Sequence, residues 1–141
     1  MVLINPNEAA EKLATYLSGT DFADADSGVG AIYPNNTAPT SGLPESYLEI
    51  VQNGPVTTLF SEGGIQSMVL MLTLSVKLRD KSVANTAREN FIFDRLSAEI
   101  QKARRIEGYT YEITKDSAVY SGRDLSSGYS TKIFNIKVQN Y

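Results

Sequence analysis

The sequence predicts one α+β domain spanning residues 1–141, with a mainly antiparallel or mixed sheet. An N-terminal helix and one long central helix are expected to pack on one side of that sheet. Three observations carry this expectation. A capped segment with helical apolar spacing opens the chain, a longer helical segment lies past its middle, and alternating strand-like runs fill the stretches before and after it. With 42% hydrophobic and 21% charged residues, a chain of this length can bury one core without disulfide or metal.

The first helix is expected over residues 6–18. Asn5 suits the N-cap, Pro6 the first helical position, and Glu8 stands three residues after the cap. Ala10, Leu13, Ala14 and Leu17 recur at helical spacing, and Gly19 is a plausible stop. Residues 20–44 read as a long connection rich in Asp, Asn, Gly, Pro, Ser and Thr, of the length that is usually functional or partly disordered. A short strand at residues 30–33 is expected inside it, with Pro34, Pro39 and Pro44 hindering regular pairing afterwards.

Strands follow at residues 46–52 and 56–60, separated by Asn53-Gly54-Pro55. Residues 61–64 turn the chain into its clearest strand, 65–79. There Met68, Leu70, Leu72, Leu74, Val76 and Leu78 share one face, because strand side chains alternate. A helix is expected over residues 82–103, with Ser82 as N-cap. Its apolar residues make two faces: Ile92, Phe93, Leu96, Ile100 and Ala103 on one, and Val83, Ala84, Ala87, Phe91 and Ala98 on the other. One sheet covers only one of these, so a neighbouring subunit or the first helix must cover the second. The last third reads as strands at 109–114, 118–121 and 128–139, with turns at 115–116 and 122–128.

The chain contains neither Cys nor His. That excludes disulfides, Cys–His pairs, the usual serine triads and ordinary zinc sites. Carboxylate, Lys and Tyr chemistry remain. A net charge of −3 disfavours a general electrostatic hold on nucleic acid. No basic region followed by a long apolar run opens the chain, and the apolar stretch 65–78 is too short and too polar to span a bilayer. The expectation is a soluble intracellular protein with no membrane contact.

No motif points to a cofactor, metal or catalytic group. The cluster Asp21, Asp24 and Asp26 does not follow calcium-loop spacing, since Gly28 falls where a ligand belongs, and it reads as a solvated acidic loop. Gly28-Val29-Gly30 is too little for a dinucleotide fingerprint, and Gly63-Gly64 precedes a strand rather than a helix. Asn35-Asn36-Thr37 is a glycosylation pattern that means little without a secretory signal. Lys102, Arg104 and Arg105 complement a helix C-terminus. Asp24, Asp26 and Glu62 offer carboxylates for a hydrolase, but they fall in turns with no apolar pocket around them. Tyr109, Tyr111, Tyr120 and Tyr129 crowd the C-terminal strands, where aromatic pairs stabilise a sheet.

The run Ile32-Tyr33-Pro34-Asn35, then Pro39 and Pro44, then Tyr47-Leu48-Glu49-Ile50 resembles the opening of phage tail terminator and related minor capsid (neck) proteins. The long strand 65–79, the Asp80 junction, the alanine-bearing helix from Ser82 and a Gly122-Arg123-Asp124 turn continue the resemblance. It implies a structural virion subunit, assembled in the host cytoplasm, that forms a homo-oligomeric ring, typically six-fold. The ring caps the tail tube and joins it to the head. The resemblance implies contacts with tail tube and neck or connector proteins, DNA only in transit through an acidic channel, and no catalysis. On this reading Arg88, Phe91 and Arg95 are expected at the subunit contact. A hairpin carrying Arg123, Asp124 and Leu125 is the expected arm that docks on the tube. The alternatives are another neck or head-completion subunit, or a monomeric module that binds a ligand or peptide at an exposed sheet edge.

Overall fold

The computed structural model describes residues 4–61, 63–79, 85–113, 120–123 and 128–140. Helix α1 spans Pro6–Ser18, and the Asn5 side chain accepts from the N–H groups of Asn7 and Glu8 as its cap. A one-turn 3-10 helix, Asp21–Ala23, follows. The strands are β1 (Ala31–Pro34), β2 (Ser46–Gln52), β3 (Thr57–Ser61) and β4 (Gly64–Arg79). Helix α2 covers Asn85–Lys102, and β5 (Arg105–Ile106), β6 (Tyr109–Ile113), β7 (Tyr120–Arg123) and β8 (Tyr129–Asn140) complete the chain. The proposed start of the long helix at Ser82 lies outside the described residues.

All eight strands form one sheet, in the order β1-β2-β4-β8-β6-β5, with β3 paired to β4 and β7 to β8. Among the described strands only β1 is parallel to its neighbour; every other pairing is antiparallel. Pro34 ends β1 at the sheet edge, where a missing N–H is tolerated. The order places β1 and β5 five strand spacings apart, about 24 Å if the sheet were flat. Helix α1, about 10 Å across, nevertheless packs on β1, β2 and β5. The sheet therefore curls around the first helix.

Both helices lie on the concave face and share one core. Leu70, Leu72, Leu74 and Val76 of β4 meet Phe134, Ile136 and Val138 of β8, with Leu13 and Leu17 of α1 and Ile92, Leu96 and Ile100 of α2 above them. Two tyrosines of β6 fasten the start of α1. The Tyr111 hydroxyl donates to the Ala9 carbonyl at 2.7 Å, and the Asn5 N–H donates to the Tyr109 hydroxyl at 3.3 Å.

The connection after α1 is anchored in this core, although its aspartates are solvated as expected. Phe22 and Val29 are fully buried, and the Val29 N–H donates to the Phe22 carbonyl at 2.8 Å. Gly28 makes that closure possible, because a Cβ there would lie 1.9 Å from the Phe22 oxygen. The expected turn over residues 122–128 is corrected at its start. Gly122 and Arg123 are strand, paired with Thr131 and Ser130 of β8. The ladder carries them because β8 is long enough to supply partners as far as Ser130.

Candidate functional site

The inner face of α2 is the one expected: Ile92, Leu96, Ile100 and Ala103 are buried, and the Phe93 ring meets Phe134 edge-to-face at 5.0 Å. Its second face is uncovered among the described residues. Ala87, Phe91 and Ala98 are exposed, and Phe91, at 45%, is the large exposed hydrophobic among the described residues. The reading in which α1 covers this face is thereby overturned, because α1 is held by the curled sheet instead. Val83 and Ala84 lie outside the described residues.

Arg88 and Arg95 flank Phe91, but both also serve the fold. The Arg88 guanidinium donates to the carbonyls of Asp26 at 2.8 Å and Gly28 at 3.3 Å, and to that of Ala25. It lies 5.3 Å from the Phe91 ring centroid. It thus ties the acidic loop to α2 by charge-assisted hydrogen bonds. Arg95 approaches Asp21 at 4.0 Å, the outer limit of an ion pair, and its Nε is buried with no hydrogen-bond partner among the described residues. Phe91 is therefore the one of the three with no inward role. Of the expected docking hairpin, Arg123 stands in β7, while Asp124 and Leu125 lie outside the described residues.

The open face of the sheet, opposite the helices, carries an aromatic row. Tyr47 meets Tyr33 at 5.7 Å and Tyr129 at 5.3 Å, both edge-to-face. Arg79 covers the Tyr129 ring and donates to its hydroxyl at 3.1 Å, and that hydroxyl donates to the Pro44 carbonyl at 2.6 Å. The row pins the proline-bearing loop onto the sheet. Burial pushes the Tyr47 phenol up to about 12, and burial drives Tyr111 further in the same direction. Both phenols stay protonated at neutral pH, so neither serves as a base there.

A groove of about 440 Å³ runs between α1 and the β5–β6 turn, lined by Glu8, Glu11, Lys12, Tyr16, Ile106 and Glu107 among others. Lys12 closes it, 2.9 Å from Glu8 and 3.4 Å from Glu107, while donating to the Glu107 carbonyl at 3.2 Å. Its hydrogen bond to Glu8 raises its pKa. Among the described residues no group of three or more acidic side chains is placed to hold a metal ion. Asp24 and Asp26 are exposed; the Asp24 carboxylate accepts from the Asp26 N–H at 2.8 Å, forming a local turn. Glu62 lies outside the described residues. No described helix is long and apolar enough to cross a membrane.

One feature had no counterpart in the sequence reading. β4 begins at Gly64, but β8 pairs with it only from Val69 onward, through Gln139. Residues 64–68 of β4 therefore pair with β3 alone, and the two strands project past the sheet as a two-stranded arm. The only sequence signal for it is the length of β4 relative to the strands around it.

No family model matches the sequence, and no curated sequence relative matches it. Among solved structures, the chain is similar to one in the virion of a native gene transfer agent (GTA) particle. The TM-score is 0.66, the alignment covers 97% of this chain and 98% of that chain, and identity is 13%. At that identity the likeness is one of fold.

Proposed function

We propose that this chain is a structural virion subunit of a tailed phage or phage-like particle. It closes into a homo-oligomeric ring, six-fold in the simplest case, that caps the tail tube and joins it to the head. The observation that carries this reading is the end-to-end likeness of fold to a chain of a gene transfer agent virion. A match that leaves almost nothing over on either side favours a shared architectural role over a shared module.

The surface agrees with assembly. Phe91 leaves an aromatic ring in water on a helix flank that nothing else in the described chain covers. Aromatic and arginine side chains are the residues that anchor protein interfaces. The net charge of −3 suits a channel that lets DNA pass without gripping it. The tube-docking role assigned to Arg123, Asp124 and Leu125 belongs to the same proposal, as do the tail tube and neck proteins as partners. Another neck or head-completion subunit is the second reading, since the fold likeness serves it equally.

Light scattering over a wide concentration range, with negative-stain images of the heaviest species, tests the proposal. Closed rings of one stoichiometry are expected. A chain that stays monomeric at every concentration, and that does not add to the ends of purified tail tubes, overturns it.

A further inference from the structure

A two-stranded ribbon standing alone in water is marginally stable, because neither strand has a third partner and neither face has a core behind it. The β3–β4 arm shares the first of these conditions: Met68 at its base packs against the core, but beyond it neither strand has a third partner among the described residues. Its paired rungs run from Thr57–Val69 to Ser61–Gly64, with a register shift between Leu59 and Phe60. At about 3.3 Å per residue the arm is roughly 16 Å long. Among the described residues, no strand pairs with the outer edge of β3 or with the far edge of β4 over residues 64–67. The Asn140 side chain accepts from the Met68 N–H at 2.9 Å, which closes the sheet where β8 stops and leaves the arm beyond it open.

Natural edge strands are protected by charge, lysine above all, or by proline. This arm has neither protection. From Val51 through Val76 the sequence carries a single charge, Glu62. Its proline, Pro55, stands before the arm rather than on its edge. An open, uncharged β-edge of this kind is a template for pairing with another strand.

We propose that the β3–β4 arm joins one copy of this chain to the next, by backbone strand pairing along its open edge. The proposal rests on the ring reading and names the element that builds the ring. The occupant is a second copy for an electrostatic reason. Two chains of net charge −3 repel at long range, and the paired strands of the arm, which carry no charged residue from Thr57 to Ser61 or from Gly64 to Val69, add nothing to that repulsion where they meet. A basic partner would gain more by docking on the acidic loop or on the groove beside α1. Pairing an arm with a different part of the next copy is a head-to-tail contact, the kind that closes into rings.

Hydrogen exchange of the intact chain, followed from dilute monomer to assembled particle, reads the contact directly. The amides of residues 57–61 and 64–67 that face away from the partner strand are expected to slow by about tenfold or more on assembly. A shortened chain in which residues 59–67 are replaced by Asn-Gly keeps the Thr57–Val69 and Thr58–Met68 rungs and closes them with a tight turn. It is expected to keep the wild-type circular dichroism and stay monomeric where wild type forms rings. Should that chain misfold, Thr57→Lys with Thr58→Lys tests the same edge by charging it, with the same expected loss of rings. If wild type assembles while the arm amides exchange unchanged, or if the folded variants still form rings, the arm is not the contact and the ring reading stands. If wild type never assembles, the ring reading itself falls and takes the arm with it.

Discussion

Replacing Tyr111 with Phe tests how the first helix is held. The Tyr111 ring is 1% exposed, and its hydroxyl reaches the Ala9 carbonyl at 2.7 Å across a separation of 102 residues. The Phe variant keeps the ring packing and removes one buried hydrogen bond. Ala9 lies in the first turns of α1, so its carbonyl keeps a helical N–H partner and is not orphaned. The expected loss is then the net value of one hydrogen bond, about 1 kcal/mol, or roughly 3 °C in Tm for a domain of this size.

A second reading of the same variant separates this bond from simple repacking. Burial raises the Tyr111 pKa above the ordinary 10. A group whose folded pKa is raised contributes stability that is fully present below its unfolded pKa and is lost as pH climbs towards the folded value. Above pH 10 the wild type should therefore lose stability with an added slope of about 1.4 kcal/mol per pH unit from this phenol, and the variant should lack that slope. Tyr47, raised to about 12, adds a similar slope between 10 and 12 in both proteins, so the comparison isolates Tyr111. Urea titrations at pH 7, 10 and 11 measure both quantities. Equal stability at pH 7 together with parallel alkaline curves would show that the hydroxyl contributes nothing to fastening α1.

Three other substitutions probe the loop and the flank. Gly28→Ala forces a Cβ to within 1.9 Å of the Phe22 oxygen, so a loss above about 3 kcal/mol is expected in thermal denaturation; a loss below 1 would mean the loop closes another way. Arg88→Ala removes donors to three carbonyls at a half-exposed site, where water replaces part of each bond. We expect about 1–2 kcal/mol and faster proteolysis within residues 24–28, with Arg88→Lys intermediate; an unchanged cleavage rate would refute the tether. Phe91→Asp lies on an exposed flank, so folding stability should stay within about 0.5 kcal/mol while ring formation weakens at least tenfold in light scattering. Rings of undiminished stability would remove Phe91 from the interface.

Much of this architecture is legible in the sequence where a local rule coincides with the tertiary demand. Asn5-Pro6 caps α1 as its chemistry requires, and Ser46–Gln52 forms its strand with the expected limits. The leucines of β4 alternate into the core because one face of the strand is buried along most of its length. Elsewhere the deciding partner is remote. Phe22 and Val29 are isolated apolar residues in a polar tract, and the Phe22 turn is buried by packing against α1 and the distant α2. β5 is two residues long, below any periodicity. Gly122-Arg123 has turn composition but lies within reach of a long neighbouring strand. The two-faced pattern of α2 left open whether α1 or a neighbour covers the second face; α1 does not, and Phe91 stands exposed there. The arm was not foreseen because its projection depends on where β8 ends, which the length of β4 alone does not encode.

The position of β8 also bears on how the molecule comes into being. This strand, the last of the described strands, sits between β4 and β6 in the middle of the sheet, and α1 is fastened by tyrosines more than 100 residues downstream. Such wiring is dominated by distant contacts, and it folds slowly because loop closure precedes any gain. A growing chain has no completed core to collapse onto until β8 is made, so the usual N-terminal-first order of folding is closed to it. Chains cut short before β8 leave β4 with an open edge over Val69–Arg79 and α1 without its clamps. Synthesis thus acts as its own inspection step: only a chain that includes β8 gives β4 its second partner and α1 its clamps.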